Sequence, residues 1–319
     1  MKKLNNKILI GILVGLVLVF ALAKIFRSPG LQRSLPEALV QTDTATVDAV
    51  HLYPAAGKGL KLEFSRKNSG WIVSNGEKMA SADKGSVSTM LGYLVKLAPQ
   101  KLVTRKKDKW QQYAVGDSST RVVVFNGKKV LAEFHVGRTG FGQPSGPPNP
   151  YGVGGYGASF TYVRNSDEDQ VYTVEGFMES AFNRGFDDWR DKSFLRLKPE
   201  QISRIRFDYP DSGFVAELKN SKWMIDGQPA DSVEMKNYLS QLGFKNAQVF
   251  ADDFKPVGKS DLSLTFEGTG GTLATVKAWR RESDYVLNTS AQPDVYFSSA
   301  STALMSSLFE RRQKLSGKK

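Results

Sequence analysis

The sequence predicts an α+β protein: an N-terminal transmembrane helix followed by two tandem, similar strand-rich modules, each an antiparallel sheet with packed helices. Three observations lead there. The chain opens on an uninterrupted apolar run, most of the remainder alternates apolar and polar residues between turn signals, and one order of strands, tryptophan and helix occurs twice. Of the 319 residues, 40% are hydrophobic and 24% charged, enough apolar material for a core in one large or two medium domains. There is no cysteine, which excludes disulfides, thiolate metal sites and cysteine nucleophiles.

From Ile8 to Ala23 the run ILIGILVGLVLVFALA holds no charged residue, and Ile25 and Phe26 extend it past Lys24. A lysine stem can snorkel to the interface, and the run approaches the ~20 residues that cross a bilayer. Residues 1–26 are therefore expected to be a signal anchor, with residues 8–26 in the lipid bilayer. The expected location is the bacterial inner membrane, single-pass, with the body facing the periplasm. Ala21-Leu22-Ala23 forms an A-x-A pattern, so a cleaved, secreted form is the alternative. Residues 27–46, with Pro29, Gly30 and Pro36, read as a tether.

The net charge of +12 sits at the ends. Lys2, Lys3, Lys7, Lys24, Arg27 and Arg33 precede the body, and Arg311, Arg312, Lys314, Lys318 and Lys319 form a basic tail over 311–319. Positions 34–310 carry 33 basic against 32 acidic residues. Basic ends on a neutral body suit anionic headgroups better than nucleic acid, and no nucleic-acid partner is expected.

The first α+β module is expected over 47–197. Val47, Val50 and Leu52, then Leu60–Phe64, then Trp71–Val73 predict three strands. Ala82-Asp83 supplies an N-cap, and Val87, Met90, Leu91, Leu94 and Leu97 recur at helical spacing. Arg121–Phe125, Val130–Val136, Thr161–Arg164 and Val171–Val174 add strands, the first two joined at Asn126-Gly127, and Phe177–Phe182 closes with a short helix. The second module, expected over 198–310, repeats the order in Ile202–Phe207, Phe214–Leu218 and Trp223–Ile225, then Ala230-Asp231. Tyr238–Leu242 echoes Tyr93–Leu97, and Val295-Tyr296 echoes Val171-Tyr172. Trp71 and Trp223 are assigned to core packing. In the charged stretch Asp187–Lys192, Trp189 is expected to seal the module and Arg190 to bridge an acid, with a recognition patch as the alternative.

Residues 137–159 form a Gly/Pro-rich loop that includes Gly152, Gly154 and Gly157 at G-x-G-x-x-G spacing. A dinucleotide site needs that motif between a strand and a helix, whereas here it follows prolines and runs into a strand. Phe141, Tyr151 and Tyr156 make the loop a candidate interaction arm. His51 and His135 belong to no metal-ligand spacing, and G-x-S-x-G, P-loop and H-E-x-x-H motifs are missing from the sequence. No catalytic residue, cofactor or metal is expected. The pairs Asp187-Asp188 and Asp252-Asp253 keep a carboxylate-based hydrolase as the least supported reading.

The strand–strand–Trp unit (47–73), TYVR at Thr161–Arg164, Val171-Tyr172, WRDKS at Trp189–Ser193 and ISRIRF at Ile202–Phe207 resemble the bacterial DUF4340 family, a domain of unknown function. The resemblance spans roughly residues 44–310. It implies kinship with GldG-like auxiliary subunits found beside gliding-motility-type ABC transport systems, and supplies no catalytic residue. The leading expectation is a non-enzymatic, membrane-anchored scaffold or accessory of such a complex, with ABC-type permease components as partners. The alternative is a module that binds an envelope glycan or anionic lipid.

Overall fold

A computed structural model describes residues 13, 15, 16, 35–68, 70–142, 158–300 and 303–317. The predicted membrane segment 8–26, with Ala21-Leu22-Ala23, lies outside them apart from Leu13, Gly15 and Leu16, which are helical. Among the described residues no helix is long and apolar enough to cross a membrane.

The body forms two compact units, one ending at Asp191 and the other beginning at Lys192. The sequence reading put this boundary at 197/198. The difference arises because Ser193–Leu195 pairs with Lys245–Asn246 and so joins the second unit.

The first unit runs β1 (Ala49–Tyr53), β2 (Leu62–Lys67), β3 (Gly70–Ser74), β4 (Met79–Ser81), α1 (Lys84–Val95), β5 (Pro99–Thr104), α2 (Trp110–Tyr113), β6 (Thr120–Asn126), β7 (Lys129–Phe141), β8 (Ser159–Asn165), β9 (Val171–Glu175), α3 (Met178–Phe182) and α4 (Phe186–Trp189). Its antiparallel sheet has the order β4-β3-β2-β1-β6-β7-β8-β9-β5. Alternation decides which face is buried. Val50, Leu52, Phe64, Val122, Val124, Phe134 and Val136 turn toward Val87, Met90 and Leu94 of α1 and Phe182 of α3. The intervening residues line the other face, which carries the short α2.

The second unit runs β10 (Ser193–Leu195), β11 (Arg204–Asp208), β12 (Phe214–Lys219), β13 (Lys222–Ile225), β14 (Gln228–Pro229), α5 (Ser232–Leu242), β15 (Lys245–Asn246), β16 (Val249–Phe250), β17 (Leu262–Gly268), β18 (Gly271–Arg280), β19 (Tyr285–Thr289), β20 (Gln292–Ser298), α6 (Leu304–Leu308) and α7 (Arg312–Leu315). Its large sheet has the order β14-β13-β12-β11-β17-β18-β19-β20-β16, position for position that of the first. The two share details as well. A bulge falls between Val124 and Phe125 where β6 meets β7, and between Phe266 and Glu267 where β17 meets β18. The amide of Ala82 donates to Trp71 O at 2.9 Å, and that of Ala230 to Trp223 O at 2.9 Å.

Two of the sequence echoes are out of register. Counted from the capping residues Asp83 and Asp231, Tyr238 falls level with Met90, not Tyr93. Tyr172 stands opposite the core residue Val163, whereas Tyr296 meets Trp279 edge-on outside the core of its unit. Sequence matching paired similar letters; hydrogen-bond register pairs facing directions.

Four other boundaries differ from expectation. Within the predicted tether, Val40 is buried and forms a bridge with Leu97, because Leu39, Val40 and Thr42 satisfy the backbone where α1 ends. Leu97 therefore lies beyond the helix, while Leu60 precedes β2 and is exposed. In the basic tail, residues 312–315 form α7, whose fully buried Leu315 completes the second core. Arg312 pairs with Asp226 at 3.0 Å and Lys314 with Glu310 at 2.6 Å. Amphipathicity outweighs charge there: one apolar residue in the basic stretch has a core to enter.

Candidate functional site

The face of the first sheet opposite α1 and α3 carries a hollow of about 770 Å³. Its floor is a cross-strand row: Tyr53 on β1 stands opposite Arg121 on β6, Arg121 opposite His135 on β7, and His135 opposite Arg164 on β8. Directly opposed residues lie about 5 Å apart at Cβ, so the four side chains share one surface. The wall comes from the segment between β5 and β6, which brings Trp110, Asp117, Ser118 and Ser119 over the row.

This wall sits close because Gly137, in the bulge of β7 against β8, has no side chain. A Cβ there would collide with the carbonyl of Tyr113 and with Val115. Trp110, Val115 and Val171 then form a small second core, with Tyr113 packed on Tyr162 at 4.7 Å.

Arg164, only 2% exposed, anchors the arrangement. Its Nε donates to Val115 O at 3.0 Å, its Nη1 to the carbonyls of Asn165 and Glu168 at 3.1 and 3.2 Å, and its guanidinium lies 3.7 Å from the Trp110 ring centroid. Burial pulls its pKa below the ordinary value, with Asp117 and Asp169 opposing. Arg121 is less tied: it lies 4.1 Å over the Tyr53 ring and makes a 3.4 Å contact with Glu133.

His135 is held between the two arginines. Ser119 Oγ lies 2.9 Å from its Nδ1 and 2.6 Å from Gly116 O. The carbonyl can only accept, so the hydroxyl proton goes to Gly116 and the imidazole proton sits on Nδ1. Burial, and then the charges of Arg164 and Arg121, lower the His135 pKa to about 4, which keeps the ring neutral at pH 7. A nucleophile–base pair needs the hydroxyl proton directed at the imidazole, the reverse of this arrangement. The chemistry available here is recognition: fixed positive charge, a neutral imidazole and aromatic faces. His51 lies on the same face, tilted against Phe125 at 4.5 Å, its pKa lowered by burial and by Lys61. Among the described residues no group of His, Asp and Glu could hold a metal.

The residues singled out from sequence lie elsewhere. Phe141 ends β7, exposed, against Phe177 at 5.9 Å. It follows Thr139, whose strand partner Thr161 hydrogen-bonds Met178 N of α3, so it is on the face of α1 and α3, away from the hollow. Tyr151 and Tyr156 lie outside the described residues. Trp189 is fully buried, edge-on to Phe64 at 4.8 Å. Arg190 is buried and pairs with Asp187 at 3.0 Å. Trp71 and Trp223 are half-buried at the margins of their cores, and Trp71 walls a second groove, under Arg66 at 5.1 Å.

Sequence reasoning missed the hollow. Arg121 and His135 were visible as polar positions alternating with Val122, Phe134 and Val136, but which strands neighbour each other was not.

A family model described as "Domain of unknown function (DUF4340)" matches residues 71–264, more than half the chain. The chain belongs to the DUF4340 family. The DUF4340 match opens at Trp71 in β3 and closes at Leu264 in β17, so it crosses the division between the two units. No curated protein and no solved structure matches the chain.

Proposed function

We propose that this DUF4340 protein is a non-enzymatic, membrane-anchored envelope protein that serves as a scaffold or accessory of an ABC-type transport complex of the gliding-related kind. The observation that carries the binding character is the Ser119–His135 pair: its protons are directed for structure, while Arg121 beside it stays open to solvent. The anchor rests on the apolar run 8–26. Outward orientation follows the usual behaviour of a short basic N-terminus before one hydrophobic run.

The test is crosslinking of the full-length chain in native membranes, followed by affinity capture and mass spectrometry. Recovery of ABC-type permease subunits in stoichiometric amounts supports the accessory role. Recovery of wall or lipid material alone shifts the reading to an envelope glycan- or lipid-binding module, which the positive charge of the hollow also favours.

A further inference from the structure

We propose that the hollow over β1, β6, β7 and β8 binds a hydroxylated carboxylate of the kind found in acidic sugars, with Arg121 taking the carboxylate and His135 Nε2 accepting from a neighbouring hydroxyl. This deepens the reading of the first module as a binding body and rests on it.

Charge selects an anion. Lys58, Lys107, Arg121 and Arg164 line the hollow against Asp117 and Glu133. Arg164 is almost wholly buried, with its Nε and Nη1 engaged by backbone carbonyls, and acts through its field. Arg121 is the planar donor within reach of a ligand, held above Tyr53 with one long contact to Glu133. One available guanidinium fork matches one carboxylate.

Hydrogen-bond bookkeeping selects the hydroxyl. With Nδ1 as donor to Ser119, the Nε2 of the same ring is left as an acceptor, and no described protein group donates to it. An acceptor set between two arginines would repel an oxygen that brings no proton. The ligand must therefore present a donor next to its anionic group, as a sugar acid does and a sulfate dianion or acetate does not. Ser166, which also lines the hollow just after β8, has a buried Oγ without a partner and the same need of a polar neighbour.

The second module shows that this chemistry is not simply what the fold imposes. By strand register, Tyr53, Arg121, His135 and Arg164 correspond there to Asp208, Ser263, Lys277 and Asn288. Asn288 keeps the structural part of Arg164, donating to the carbonyls of Gln292, Pro293 and Val295 at 2.9–3.2 Å. The arginine–imidazole pair has no counterpart.

Isothermal titration of the full-length chain in detergent with glucuronate, a uronate tetrasaccharide, glucose, acetate and sulfate tests this. Glucuronate should bind saturably, with glucose, acetate and sulfate at least about tenfold weaker, the worth of one charge-assisted hydrogen bond. Arg121→Gln and His135→Gln should each cost glucuronate about tenfold, with the unfolding midpoint measured alongside. Because His135 is buried, the exposed rim variant Lys107→Ala is the control that keeps the fold, and it should weaken glucuronate and reduce the salt dependence. Tighter binding of the tetrasaccharide assigns a polymer as source; equal binding assigns a free sugar acid. Acetate or sulfate binding as well as glucuronate, or full affinity in a folded Arg121→Gln protein, overturns the inference. Uronate silence with permease capture intact overturns it alone, whereas uronate binding without permease capture overturns the accessory role alone.

Discussion

The amide of Asp83, the residue that caps α1, donates to the carbonyl of Trp189 at the end of α4, 2.8 Å away. The Asp83 side chain simultaneously accepts from Ser86 N at 2.8 Å. In the second module Asp231 makes the same backbone bond to Leu315 at 2.9 Å, and its carboxylate accepts from Val233 N and Glu234 N. Each aspartate starts the long helix and fastens it to the last turn of its own module.

Replacing either cap by alanine should cost about 1 kcal/mol, with Asp231→Ala the larger because two amides lose an acceptor. Urea unfolding should show a lower midpoint with an unchanged slope in both cases.

Trp189→Ala should cost about 3–5 kcal/mol, since it removes a fully buried indole in edge contact with Phe64. Trp189→Phe should recover most of this. Thermal unfolding of the two variants side by side checks the order.

Gly137→Ala should destabilise by about 1–3 kcal/mol, because the new methyl group drives Tyr113 and Val115 away from the sheet. The displaced wall carries Trp110, so a red shift in tryptophan emission should accompany the loss.

Acidification should weaken the fold through His135. Its native pKa of about 4 lies below the ordinary 6.5. Between those values the unfolded chain binds the additional proton, so stability is full above pH 6.5 and falls as pH drops toward 4. The effect is at most about 3 kcal/mol, and His135→Gln should flatten that part of the stability–pH curve. Denaturant midpoints at pH 7, 5.5 and 4 measure it.

The class of fold and the repeat were legible because they are local. Alternation marks strands such as β2 and β11, and Ala-Asp before a helix marks both caps. What was not legible depends on partners distant in sequence. Arg121, His135 and Arg164 carry no common motif and become neighbours only through the order β6-β7-β8. Gly137 lay at the start of the Gly/Pro-rich stretch, and its fixed role against Tyr113 needs the bulge to be seen. The basic tail misled because charge was counted while a single leucine was overlooked.

In each sheet the strand that follows the long helix does not pair with what comes next. It crosses to the far edge, where β5 waits for β9 and β16 for β20. Neither edge can form until the last strand of its module has been synthesised, and the closing ties from Asp83 to Trp189 and from Asp231 to Leu315 come later still. A ribosome halted before Val171 would leave β5 as an unpaired edge, open to pairing with other chains. The first module, by contrast, has every one of its strands once Glu175 is made, so it can finish folding while the second is still being translated.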